Sequence, residues 1–100
     1  MPTLETITEA DLRAALTASS LRRARGYLTR VRKAVRAGQT LTAEVKGSRD
    51  YQAEIEVGPA GITAHCSCPY DWGGYCKHVG AVLLKWMQDP ISFTIREAPA

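Results

Sequence analysis

Residues 66–78 read C-S-C-P-Y-D-W-G-G-Y-C-K-H and contain all three cysteines of the 100-residue chain. The first two thiols lie two apart at the end of a predicted strand, so their side chains share one face. The third thiol and an imidazole lie where a loop enters a predicted helix, and the intervening Gly73-Gly74 lets the chain fold back over an ion. Three thiolates and one imidazole suit zinc better than magnesium, calcium or manganese. The motif therefore predicts one zinc ion, with Cys66, Cys68, Cys76 and His78 as its ligands.

Four protein ligands fill a zinc tetrahedron, so the predicted role of the ion is structural and the ion activates no water. Other interpretations of the cysteines explain less. A Cys66–Cys68 disulfide would be strained and would leave Cys76 unpaired. A catalytic Cys76–His78 pair lacks an orienting third group, and three inert buried thiols would make the histidine spacing a coincidence. His65 has the opposite strand parity to the two neighbouring cysteines, so it is predicted at the surface.

The metal motif and the apolar V-G-A-V-L-L that follows it resemble the SWIM zinc finger family, whose signature is C-x-C, a variable gap and C-x-H. The aromatic-Gly-Gly gap is similar to that of the prokaryotic branch. The resemblance covers the motif at 66–78 and extends to a strand-turn-strand lead-in from about residue 40. It implies the same four ligands and a finger over residues 40–88. It also implies a module that binds DNA or proteins, as found beside Swi/Snf-type helicases.

Apolar and polar residues alternate in three segments, near 41–46, 51–57 and 62–68, with glycine-containing turns between them. This pattern predicts a three-stranded antiparallel meander with one buried face. A final helix is expected from about His78 to Gln88, because apolar residues recur there at helical spacing before Asp89-Pro90. The chain is thus predicted to be a single α+β domain over residues 1–100.

The N-terminal part is predicted to be helical and basic over residues 8–38. Thr8 and Asp11 resemble a capping box, which predicts a helix over about 8–18. A second helix is expected from Ser19-Ser20 to about Ala37, before Gly38. When this segment is projected at 100° per residue, its basic and apolar side chains fall in separate arcs.

Positive charge is concentrated in one part of the chain. Residues 21–50 hold nine basic and two acidic residues, although the whole chain carries a net charge of only +3. Such asymmetry indicates an anionic partner. The predicted nucleic-acid contacts are seven basic residues of the second helix together with two residues near the zinc motif: Arg22, Arg23, Arg25, Arg30, Arg32, Lys33, Arg36, Trp72 and Lys77.

These patterns favour a non-catalytic zinc module that binds nucleic acid, with DNA as the first candidate. The alternative is a protein-interaction module that docks onto a helicase or another partner, and a merely solvated basic face is also consistent with the pattern. Tyr70, Trp72 and Tyr75 either stack on bases or pack over the zinc thiolates. A membrane partner ranks last, because the predicted basic helix lacks Trp and Phe anchors.

The remaining sequence features set the class and the compartment. A chain that is 45% hydrophobic and 23% charged has the composition of an ordinary soluble domain. No nucleotide-binding loop or exposed nucleophile–base pair is visible, so neither an enzyme nor a small-molecule substrate is expected. The absence of a long apolar run or a secretory signal predicts a cytoplasmic protein.

Overall fold

The computed structural model describes residues 3–47, 49–58, 61–68 and 76–96. Within these ranges the chain forms three α-helices and a five-stranded sheet, which confirms the α+β class. In chain order the elements are α1 Glu9–Ala15, α2 Ala18–Arg25, β1 Val31–Ala37, β2 Thr40–Lys46, β3 Asp50–Gly58, β4 Gly61–Cys66, α3 Lys77–Gln88 and β5 Thr94–Arg96. Short 3-10 turns at Leu28–Arg30 and Pro90–Ser92 precede β1 and β5.

The strands lie in the order β4-β3-β2-β1-β5. Strands β1 to β4 pair antiparallel with their chain neighbours, whereas β5 pairs parallel with β1. The predicted meander corresponds to β2, β3 and β4 and is confirmed. The two further strands come from segments on either side of it in the chain.

Helix α3 covers the apolar face of the sheet. The register places Leu41 opposite Ile55, and both side chains are fully buried on the face that α3 contacts. Nearly every residue from His78 to Leu84 is buried as well, because α2 packs against the other side of α3. The predicted C-terminal helix is therefore confirmed, and it is a central element with little exposed surface.

Gly80 allows α2 to approach α3 closely. A Cβ atom at this position would lie 2.7 Å from Cδ2 of Leu16 and 2.9 Å from Cβ of Ala24. Both distances are shorter than side chains tolerate, so a larger residue would push the helices apart. The close crossing brings the C-terminal end of α2 beside the first turn of α3, where the predicted zinc ligands lie.

The predicted first helix is confirmed as α1. Asp11 Oδ2 accepts a hydrogen bond from the backbone N–H of Thr8 at 2.9 Å, as the capping-box pattern implies. Ahead of this helix, Leu4 is buried, and its carbonyl accepts a hydrogen bond from the indole Nε1 of Trp86 at 2.7 Å. This bond ties the N-terminal segment to the last part of α3.

The predicted second helix is wrong beyond Arg25. Helix α2 ends at its cap residue Gly26, and residues 31–37 form strand β1. Gly38, with φ of +62°, begins a two-residue turn between Ala37 and Thr40 and joins β1 to β2 as a hairpin. A glycine at this position also fits the end of a helix, as the sequence pattern predicts. Backbone pairing with β2 and β5 on both sides instead fixes the segment as a strand.

A β-bulge in β1 explains why the segment also fits a helical pattern. The register shifts between Arg32 and Val35, and Lys33 within the bulge has φ of +52°. Beyond the bulge, Arg36 lies opposite the buried Leu41, so it shares the face that α3 covers. The bulge interrupts the two-residue alternation of the strand. Apolar residues therefore recur here at spacings of three and four, as they would in a helix.

Candidate metal centre

Four ligand atoms from the ends of β4 and α3 converge on one point. The sulfur atoms of three cysteines and a ring nitrogen of one histidine all lie within 4.8 Å of one another. Strand pairing puts the first cysteine opposite the buried Ala53, which turns its sulfur toward α3. The third cysteine is the N-cap of α3, and the histidine lies in the first turn of that helix. The structure thus brings together all four residues of the predicted site: Cys66, Cys68, Cys76 and His78.

The distances fit a zinc ion. Nδ1 of His78 lies 3.7 Å from Sγ of Cys66 and 3.7 Å from Sγ of Cys76. Zinc–sulfur bonds of about 2.3 Å and zinc–nitrogen bonds of about 2.0 Å at a tetrahedral angle imply an S···N separation of about 3.6 Å. The ring nitrogen that faces the thiols is therefore Nδ1.

Two of the thiols differ in pKa and therefore in how readily each loses its proton. The pKa of Cys76 is lowered, mainly because the Cys66 thiol donates to it, with further hydrogen bonds from His78 and the backbone N–H of Val79. The pKa of Cys66 is raised by the same hydrogen bond and by burial. Cys76 is thus the first thiolate, as expected at a helix N-terminus. Zinc binding must displace the protons that remain on the other thiols.

Two tyrosine rings contact the histidine ligand. The ring of Tyr51 stacks on His78, with centroids 4.5 Å apart and an interplanar angle of 28°. Tyr27 meets the same imidazole edge-on, at 5.4 Å and 82°. His78 is only 4% exposed, and its Nε2 has no hydrogen-bond partner among the residues that the structure describes. The imidazole is therefore enclosed by aromatic rings on the sides away from the thiols.

Residues 51–87 match the family model described as SWIM zinc finger. This segment is a SWIM zinc finger. The finger binds one structural zinc ion through its three cysteines and one histidine. The match begins within β3 and ends within α3, so it spans both elements that carry ligands. No curated protein and no solved structure is significantly similar to the chain.

The predicted basic residues do not share one helical face. Arg22, Arg23 and Arg25 are exposed on α2, Arg30 ends the 3-10 turn, and Lys77 begins α3. The other three lie on β1: Arg32, Lys33 and Arg36. Trp72, like Tyr70 and Tyr75, lies outside the described residues. The set is thus distributed over two helices, a turn and a strand.

Half of the predicted basic contacts are engaged by carboxylates. Arg25 pairs with Glu9, and Arg36 pairs with Glu5 while its guanidinium lies 5.1 Å from the centre of the Trp86 ring. On the outer face of the sheet, the nearly buried carboxylate of Glu44 binds Arg32 at 2.7 Å and Lys33 at 3.5 Å. The charge of these four cations is partly neutralised, which leaves less of it available to a partner.

The sequence reading missed several residues near the metal centre. Lys46 and Arg49 are exposed on either side of the β2–β3 turn, and this turn approaches His78 at Gly47. The sequence feature that could have indicated these two residues is a glycine-containing turn flanked by cations. By itself such a turn predicts only a connection between two strands. Tyr27 and Tyr51 lie in segments predicted as a helix and a strand, and neither prediction indicates a contact with the zinc ligands. His65 is exposed on β4 and does not belong to the ligand group, in agreement with its strand parity.

None of the helices in the described part of the chain is both long and apolar enough to cross a membrane.

Proposed function

We propose that this zinc finger is a non-catalytic nucleic-acid-binding module and that its contact surface surrounds the zinc site. The four protein ligands leave no open coordination position, so the proposed role of the ion is to hold the fold. A binding surface must then come from side chains around the ion.

The observation that carries the proposal is a group of cations at this end of the sheet. None of its four members has a carboxylate partner among the described residues. We call the group the cationic rim, and it consists of Arg30, Lys46, Arg49 and Lys77. Its cations differ in this respect from Arg25, Arg32, Lys33 and Arg36, whereas Arg22, Arg23 and Arg96 also have no carboxylate partner among the described residues.

Contacts and register support placing these residues together. The Arg30 guanidinium lies 5.3 Å from the centre of the Tyr27 ring, and the Lys77 ammonium lies 4.9 Å from it. Val31 pairs with Val45, so the residues just beyond this pair, Arg30 and Lys46, reach the same end of the sheet. Arg30, Lys46 and Arg49 are exposed and Lys77 is half-buried. Cations at a protein surface attract a phosphate backbone and release counterions when they bind it.

The test is a fluorescence anisotropy titration of zinc-loaded protein against labelled single- and double-stranded DNA over a series of salt concentrations. The rim variant carries Arg30→Gln, Lys46→Gln and Arg49→Gln, which leave the zinc ligands and Lys77 in place. Each lost phosphate contact should flatten the plot of log K against log salt by about 0.9 for duplex DNA. We therefore expect a shallower slope and a weaker affinity, with zinc content unchanged.

A matched control carries Arg13→Gln, Lys85→Gln and Arg96→Gln, which remove the same charge from α1, the last turn of α3 and β5. This control should keep the salt slope of the natural chain. Equal weakening by both triple variants would mean that only net charge attracts DNA, and the proposed surface would be wrong.

Protein docking is the second candidate, and a different feature favours it. Ile91 is 94% exposed and Ile95 is 66% exposed, next to and within the short edge strand β5. Exposed apolar side chains of this size mark protein-binding surfaces when they lie together. If the natural chain binds neither single- nor double-stranded DNA even at low salt, this candidate replaces the first. A helicase-type partner, as the family resemblance implies, would then be tested against an Ile91→Ser, Ile95→Ser variant.

A further inference from the structure

Among the described residues, no hydrogen bond to the second ring nitrogen explains the orientation of the zinc-ligating imidazole. A histidine that binds a metal usually donates its second ring N–H to a carboxylate, a carbonyl or water, and this bond fixes the ring. In His78 the ligating atom is Nδ1, so Nε2 carries the second N–H. Nε2 is buried and has no partner among the described residues. In the described part of the chain, the contacts on the sides of this ring away from the thiols are aromatic.

The fold places Tyr51 against this ring. Tyr51 lies opposite Val45, so its side chain is on the sheet face that α3 covers. It is the second residue of β3, at the end of the sheet where the first turn of α3 begins. The nearly parallel stack at 4.5 Å therefore follows from strand register and helix position together.

Gly47 provides the space that this stack requires. A Cβ atom at Gly47 would lie 3.0 Å from Cε2 of Tyr51 and 3.6 Å from Nε2 of His78. The first of these distances is tighter than nine in ten real contacts of this kind. A side chain at this turn position would require the Tyr51 ring to shift by a few tenths of an ångström. The β2–β3 turn thus closes over the back of the stacked pair.

We propose that Tyr51 is a positioning residue for zinc: its ring holds the imidazole of His78 so that Nδ1 faces the thiolates, and Gly47 leaves room for it. The ring of Tyr27 supports the same imidazole from a second direction, edge-on at 5.4 Å. Aromatic contact here replaces the hydrogen bond that commonly orients a ligating histidine. The proposal depends on the zinc site and not on nucleic-acid binding.

The experiment compares Tyr51→Leu with Tyr51→Phe in the full chain. Zinc affinity is measured by competition with a chromophoric chelator, and ligand geometry by the visible absorption of the cobalt-substituted protein. Loss of an outer contact to a metal ligand typically weakens binding about 10- to 100-fold, so Tyr51→Leu should fall at or near the lower end of that range. Its cobalt bands should change in position or intensity. Tyr51→Phe keeps the ring and should match the natural chain in both measurements.

Two further variants separate positioning from general stability. Gly47→Ala keeps Tyr51 in the sequence but crowds its ring, so the cobalt bands of this variant should shift. The proposal can therefore be tested even if Tyr51→Leu does not fold. Phe93→Leu removes a buried aromatic ring that contacts Trp86 at 5.3 Å, and it should lower stability without changing the cobalt bands.

Three results would overturn the proposal. The first is a zinc affinity and a cobalt spectrum equal to those of the natural chain in either Tyr51→Leu or Gly47→Ala. The second is a loss in Tyr51→Phe as large as in Tyr51→Leu. The third is an equal spectral change in Phe93→Leu.

Discussion

The two ends of helix α3 are stabilised by different chemistry. At the zinc end, which we define by the four ligands and the rings of Tyr27 and Tyr51, a metal ion joins β4 to the first turn of the helix. At the tryptophan end, which we define by Trp86, Phe93, Leu4 and the Arg36–Glu5 pair, aromatic packing and one buried hydrogen bond join the helix to both terminal segments. Eight residues, or about 12 Å of helix, separate His78 from Trp86.

The difference shows where a small domain can place exposed charge. The tryptophan end neutralises its cation, because Arg36 lies over the indole ring and pairs with Glu5. The zinc end depends less on carboxylate pairing, because metal–ligand bonds connect its elements. Cations there are free to remain exposed without weakening the fold. The proposed binding surface and the structural metal thus occupy the same end for a physical reason.

Removal of zinc should have the largest effect. Structural zinc in small fingers contributes roughly 10–16 kcal/mol of apparent binding free energy at pH 7, which is comparable to the whole stability of a typical domain. We expect excess chelator to unfold at least the C-terminal half, from about residue 51 onward. Circular dichroism should show this as a loss of helix and strand signal.

Cys76→Ser is the matched variant, because it removes one ligand without adding chelator and should unfold in the same way. An unchanged circular dichroism spectrum in excess chelator would show that the apolar core alone holds both ends. The comparison between them would then fail.

A change at Trp86 should have an intermediate effect. Trp86→Ala removes a buried ring and should cost about 3–5 kcal/mol of unfolding free energy, as large-to-small core changes do. Urea denaturation of the zinc-loaded protein measures this. The cobalt spectrum should match that of the natural chain, since the hydrogen bond and ring contacts of Trp86 are with Leu4, Arg36 and Phe93 and not with a zinc ligand.

Trp86→Phe keeps most of the packing but loses the N–H donor to Leu4, so its loss should be smaller, about 1–3 kcal/mol. If either variant altered the cobalt bands, the two ends would be coupled more tightly than their separate contacts suggest.

The smallest expected effect concerns the Glu5–Arg36 pair. The hydrogen bond from the Arg36 guanidinium lowers the pKa of Glu5 from 4.5 to about 2. A carboxyl whose pKa is depressed on folding adds stability that is present above about pH 4.5 and lost as the pH falls toward 2. Because the group is exposed, the contribution is modest. The natural chain should have a larger free energy of unfolding than Glu5→Gln. Denaturation of both over a pH series should show this difference narrowing below pH 4.5.

Arg36→Gln provides the reciprocal control. It should lose the same pH-dependent contribution to the free energy of unfolding and leave Glu5 with an ordinary pKa. The comparison is made over the pH range in which both chains keep their full zinc content, so that the difference in unfolding free energy reports the pair. A difference that stays constant from pH 7 to pH 3 would contradict the assignment.

Strict local patterns made the finger predictable. The C-x-C and C-x-H spacings specify ligands within two residues of one another, and strand parity or helix entry then determines which way they point. Alternation predicted β2, β3 and β4 because the residues on one face of each strand are more buried than those on the other. The segment 31–37 was predicted wrongly because its bulge mixes spacings of two, three and four. Its state depends on partners that lie elsewhere in the chain.

The sequence by itself determined the metal, its four ligands, the meander and the final helix, because each rests on contacts or periodicities within a few residues. Tertiary structure alone decided that residues 31–37 join the sheet, since backbone hydrogen bonds to β2 and β5 outweigh a helical arrangement of their side chains. It also decided which cations stay unpaired and which rings reach His78. Those outcomes depend on residues far apart in sequence, such as Arg36 with Glu5 and Tyr51 with His78, that meet only after the sheet and α3 have packed together.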